Sequence, residues 1–260
     1  MSASQPRSPL KFFLLVFALS VPFWLAGAWT SLQLLPGLPV SALMFLCPVT
    51  AALILVYREG RTAGMTTLLK RSFDYKRIGA KIWYAPIILL MPSVMALSYW
   101  LMRSIGMLLP SPHLSVVAGL ALFFAFFPAA LGEELGWSGY VIDSMQDQWK
   151  ALGASIIVGV VWAVWHIVPL VQAQRSWSWI AGWCLCTVAQ RILIVWLYNN
   201  TGNSVFGAAV FHTTSNVCWQ LFPVNGSYFD PWVTGLITAS VAVMVTFLWG
   251  PRTLARYRNA

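Results

Sequence analysis

The stretch VAGLALFFAFFPAALGEELGWSGYVI, residues Val117–Ile142, decides the fold. Residues 117–132 contain no charge and no strongly polar side chain. About 20 such residues, rising about 1.5 Å each, cross a hydrocarbon core about 30 Å thick. The stretch is therefore a membrane-spanning helix. Before it ends it places two adjacent acids, Glu133 and Glu134, inside the apolar run. Carboxylates at such depth are expensive, and by default they mark a functional site.

Working outward, seven further segments have the same character: approximately 12–33, 39–57, 82–102, 154–172, 177–198, 204–222 and 232–250. The expected fold class is all-α, a polytopic membrane protein with about eight transmembrane helices. It forms one membrane-embedded domain over 1–260, with its polar intramembrane residues concentrated in about 115–222. One substantial loop, a basic cytoplasmic one over about 58–81, is expected to lie on anionic headgroups. Composition agrees: 59% of the 260 residues are apolar, 9% are charged and the mean hydropathy is +0.72. Soluble domains carry about 25% charged residues, so a soluble enzyme is excluded. Fifteen tryptophans fit belts at the two interfaces.

The net charge of +9 reads as loop orientation, not as nucleic-acid binding. With the N-terminus inside, 13 of the 16 basic residues fall on inner segments: Arg7, Lys11, Arg58, Arg61, Lys70, Arg71, Lys76, Arg77, Lys81, Lys150, Arg252, Arg256 and Arg258. Arg103 and Arg175 fall on outer loops, and Arg191 lies within a span. This asymmetry follows the positive-inside rule and places both termini in the cytoplasm. Arg7, Lys11 and the small residues Ala26-Gly27-Ala28 imitate a signal peptide. The apolar stretch continues to Leu35, however, which favours a retained first helix. Cys47, Cys184, Cys186 and Cys218 lie in apolar runs without metal-ligand spacing; they read as buried small hydrophobes. The sequence sets no oligomeric state.

Besides the glutamates, the ionisable residues within spans are His166, Arg191 and His212, with the polar Asn216 one turn beyond His212. The third histidine, His113, falls in an outer loop. Counting from the inner ends of their helices, Glu133 lies about 14 Å deep, His166 and Asn216 about 18 Å and His212 about 12 Å. Three helices thus bring catalytic-type groups to one level near the midplane. His212 and Asn216, four apart, share a helix face, whereas Glu133 and Glu134 point about 100° apart and take different roles. A lone intramembrane histidine is as often a hydrogen-bonded core residue, and Asn216 alone would serve as interhelical glue. Their coincidence in depth is what favours function.

Three motifs give these residues a context. Glu133-Glu134-Leu-Gly-Trp-Ser-Gly139-Tyr140 resembles the Glu-Glu-x-x-x-Arg motif of the CPBP (CAAX protease and bacteriocin-processing, or Abi) family of intramembrane proteases. Trp162-Ala-Val-Trp-His166 resembles its aromatic-x-x-x-His motif, and His212-Thr-Thr-Ser-Asn216 its His-x-x-x-Asn motif. Order and spacing agree across about 115–222. One position departs: the motif's arginine is Ser138 here, which supplies a hydrogen bond but no charge. Arg191, about 10 Å deep against about 12 Å for Glu134, is the candidate to supply that charge from another helix. The competing reading has Arg191 snorkelling to the interface.

The resemblance implies hydrolysis of a peptide or membrane-protein substrate, reached from the cytoplasmic side. No Ser–His or Cys–His nucleophile signature is recognised, so water is the expected nucleophile. Glu133 would be its base, His166 would hold the water, and His212 and Asn216 would donate to the oxyanion. Glu134, Ser138 and Arg191 support them. No cofactor is favoured; a zinc site on Glu133, His166 and His212 stays open as the alternative. Two other classes also stay open: a proton- or ion-coupled transporter, and a non-catalytic scaffold or immunity factor that has lost its arginine.

Overall fold

The computed structural model describes residues 7–30, 32–112, 114–222 and 228–255; His113, Arg256 and Arg258 lie outside them. Among the described residues, eight α-helices carry the fold: α1 (Pro9–Trp29), α2 (Leu46–Lys70), α3 (Tyr84–Ser104), α4 (Val116–Gly136), α5 (Ile142–Gln172), α6 (Trp177–Asn200), α7 (Val205–Leu221) and α8 (Pro231–Trp249). Polar side chains fix several starts. Ser115, Ser176 and Ser204 each accept from the backbone N–H three residues on, and Asp230 accepts from Trp232 and Val233. Each satisfies donors that a helix start otherwise leaves unpaired.

Among the described residues, six helical stretches are long and apolar enough to cross a membrane. The expected eight spans map onto them once two features are counted. One stretch, Val116–Gln172, runs for 57 residues. Glu133 and Trp162, 29 positions apart within it, are hydrogen-bonded, whereas a straight helix would hold them about 43 Å apart. The chain therefore doubles back, and it does so at Lys150, which breaks α5 with φ 61°. The broken helix exposes new N–H donors at Ala151 and Leu152; the carbonyls of Arg252 and Pro251 accept from them at 2.9 and 3.0 Å. The second feature is α7, whose 17 residues fall short of a full crossing.

The sequence-based boundaries need three corrections. Residues 58–81 are not mainly loop: α2 bends at Gly60–Arg61, continues to Lys70, and is followed by short 3-10 turns. The first span stops at Trp29, and the chain returns through a small hairpin, β1 (Gln33–Leu35) with β2 (Leu38–Pro39). The fourth span passes into a π-helical turn, Trp137–Val141, and the helix then runs on past Ile142. A π turn shifts the hydrogen-bond ladder to i→i+5 and disturbs local pairing. Here Gly139 O accepts from Arg71 at 2.8 Å and from Arg7 at 3.3 Å, and Tyr140 O accepts from Arg7 at 3.0 Å. Two arginines from the basic end thus brace the turn directly behind the glutamates.

α6 lies at the centre, packed on α5 and α8, while α4 packs on α7 and α2. At the α5–α6 crossing stands Gly159, where a Cβ would lie 3.1 Å from Val188 Cα and 3.2 Å from Arg191 Cβ. Only a missing side chain allows the backbones so close. α1 joins the bundle through buried Phe12 and Val16, and Trp165 of α5 donates to its Ser20 at 2.7 Å.

Candidate active site

Glu134 is fully buried, and so is Arg191. The guanidinium meets the carboxylate through two bonds, 2.9 Å to Oε2 and 3.0 Å to Oε1. His212 Nδ1 lies 3.1 Å from Oε1, and Ser138 Oγ donates to Oε2. Arg191 therefore does not snorkel; α6 supplies across helices the charge that Ser138 lacks. Ser138 keeps a role by occupying the fourth side of the carboxylate, with Arg191 Nη1 3.5 Å from its hydroxyl. A bidentate pair fixes orientation as well as charge, and this one holds the His212 ring through Nδ1.

Glu133 points toward Trp162 instead, about 100° around the helix from its neighbour. Its Oε2 accepts from Trp162 Nε1 at 2.8 Å, which leaves Oε1 for chemistry. Trp162 connects the whole constellation. Its ring faces the Arg191 guanidinium at 4.3 Å and meets the His212 ring edge-to-face at 5.1 Å. Its carbonyl lies 2.9 Å from His166 Nδ1. A carbonyl can only accept, so Nδ1 carries the proton there, and Nε2 of the neutral ring is an acceptor. Trp162 stands in the aromatic-x-x-x-His motif, yet nothing in the sequence assigns its indole a role; an aromatic residue in an apolar helix looks like packing until its N–H partner is known.

Glu133, His166, His212 and Asn216 all line one cavity of about 370 Å³, within the range of small-molecule and peptide side-chain pockets. Its other walls are mostly apolar, among them Met91, Met95, Phe126 and Trp183. The structure thus separates the sequence-derived residues into two layers. Four face the cavity, while Glu134, Ser138 and Arg191 form a buried clamp behind them. Among the described residues, no group of three or more His, Cys, Asp or Glu side chains is placed to hold a metal ion; His212 Nδ1 and Glu133 Oε2 are engaged by Glu134 and Trp162, while Glu133 Oε1 and the Nε2 atoms of His166 and His212 are not.

Comparison with known proteins agrees with the motifs. Residues 115–218 match the family described as type II CAAX prenyl endopeptidase Rce1-like. The chain is also 28% identical to a protein of Methanococcus maripaludis named CAAX prenyl protease 2, over 86% of this chain and 89% of that relative.

Proposed function

We propose that this chain, similar to CAAX prenyl endopeptidases through its motif-bearing core, is an intramembrane endopeptidase in which Glu133 activates water. The observation that carries the reading is the shared wall: a carboxylate, two imidazoles and an amide face one apolar cavity, with a charge clamp fixing them from behind. Water placed between Glu133 Oε1 and His166 Nε2 donates one hydrogen to each. As its oxygen attacks the peptide carbonyl carbon, the proton passes to Glu133. The developing oxyanion accepts from the Asn216 amide and from His212 Nε2, which donates when the ring is doubly protonated and Nδ1 is held by Glu134. Glu133 then returns its proton to the leaving amine, so water ends divided between the new acid and the new amine. Each role is one that positioned side chains fill in acyl transfer.

Glu133→Gln keeps size and polarity but removes the base. Cleavage of a membrane-presented peptide by the purified variant in proteoliposomes should fall about a hundredfold or more, with the fold intact. Cleavage at the unaltered rate would refute the mechanism. The departure at Ser138, the best argument for a non-catalytic scaffold, is offset in charge by Arg191.

A further inference from the structure

The cavity has a direction. From the four polar groups its lining runs to the β1–β2 hairpin at Leu34–Pro39, to Pro169 and Leu170 at the end of α5, to Trp219 near the end of α7, and to Phe229 just before α8. Followed along the chain, all of these lie at the end of the bundle where α1 gives way to α2. The opposite end holds the 71–83 turns, the Lys150 break and the 250–255 segment, and the route to it is closed. Trp137, Ile194, Tyr198 and Phe211, together with the Glu134–Arg191 pair, are all fully buried beneath the site. That closed end also carries nearly all the basic residues outside the spans. Only Arg103 and Arg175 lie at the open end.

We infer that the site is entered from the non-cytoplasmic side, and that its substrate is an extended apolar peptide segment presented at the outer leaflet. The positive-inside rule places the basic end in the cytoplasm, and the lining of the cavity, which reaches the hairpin, Pro169, Leu170 and Phe229, then directs it to the other side. This differs from the cytoplasmic access that the family resemblance implies. A cytosolic tail would have to pass a packed aromatic layer and a buried ion pair. The class of substrate is therefore an exported or membrane-anchored chain cut near its outer interfacial end. That the segment is a peptide rests on the hydrolase reading; the side of entry does not.

The test separates the two. In a full-length chain with Cys47, Cys184, Cys186 and Cys218 replaced by alanine, single cysteines are placed by Ala129→Cys, on the cavity wall, and by Lys76→Cys, exposed at the basic end. A small membrane-impermeant methanethiosulfonate is applied to intact cells and to inverted vesicles. Ala129→Cys should react at least tenfold faster in intact cells, and Lys76→Cys only in inverted vesicles. Leu38→Cys on the hairpin, which also lines the cavity, repeats the first measurement should Ala129→Cys fold poorly. Labelling of Lys76→Cys in intact cells would invert the bundle and overturn the inference. So would cavity cysteines that react faster from the cytoplasmic side, or from neither. Labelling as expected with no peptide cleaved would refute the hydrolase reading alone.

Discussion

Replacing Arg191 with methionine removes the cation from a site with no access to water and leaves Glu134 between His212 and Ser138. Both partners are fully buried and joined by two bonds of 2.9 and 3.0 Å. Stranding one member of such a pair typically costs about 3–5 kcal/mol. The geometry adds a sign test. Ser138 touches the same carboxylate, with its hydroxyl 3.5 Å from Arg191 Nη1. A second guanidinium there would collide with the first, so Ser138→Arg alone should destabilise. In the Arg191→Met background it should restore much of what was lost, as should Glu134→Gln. The free thiols of Cys47 and Cys186 are buried, so their reaction with a maleimide during thermal unfolding in detergent reports the global transition. Simple additivity of the single and double variants would show uncoupled groups and refute the clamp.

Three further outcomes are expected. Trp162→Phe deletes the N–H held by Glu133 but keeps a ring over Arg191. A hydrogen bond to a charged group contributes about 1.5–3 kcal/mol, so stability should drop by about that amount, and cleavage should fall further than the loss of folded protein accounts for; unchanged specific activity of the folded fraction would make Trp162 a packing residue only. Gly159→Val places atoms within about 3.2 Å of Val188 and Arg191, and overpacking of this kind costs about 1–3 kcal/mol. The same thiol assay measures it, and an unshifted midpoint would contradict the close crossing. Cleavage by purified protein should persist after thorough chelation, with substoichiometric zinc by elemental analysis. Stoichiometric zinc, with activity lost on its removal and regained on its return, would move the chemistry to a metal site.

The parts of this molecule legible in its sequence are those governed by transfer from water to lipid. Residues 117–132 announce a span because nothing in them tolerates water, and Glu133, Glu134, His166 and His212 stand out because they do not belong there. The same reasoning led from a missing charge at Ser138 to Arg191, the one cation within a span. What escaped depends on how helices meet. The π turn at Trp137–Val141 has no compositional mark, because its support comes from Arg7 and Arg71, far away in sequence. The helix at 61–70 hides among basic and small residues that read as loop. Trp162 looks apolar in any hydropathy scale, although its N–H, face and carbonyl each serve a different neighbour. The direction of the cavity was also illegible, since it depends on which end of the bundle packs tightly.

The break at Lys150 sets an order of events during synthesis. The second half of α5, which bears Trp162 and His166, begins on backbone donors at Ala151 and Leu152 whose acceptors are Arg252 and Pro251. The side chains of Asn199 and Asn200 likewise donate to the carbonyls of Thr253 and Leu254. These partners follow α8 and leave the ribosome after all three motifs. Until they arrive, the helix carrying half of the site starts on unpaired N–H groups, and the end of α6 has no strap. The joint that brings Trp162 back to Glu133 is therefore locked only once the segment after α8 has been made. A product stalled before residue 251 would carry every motif and yet leave this joint unpaired.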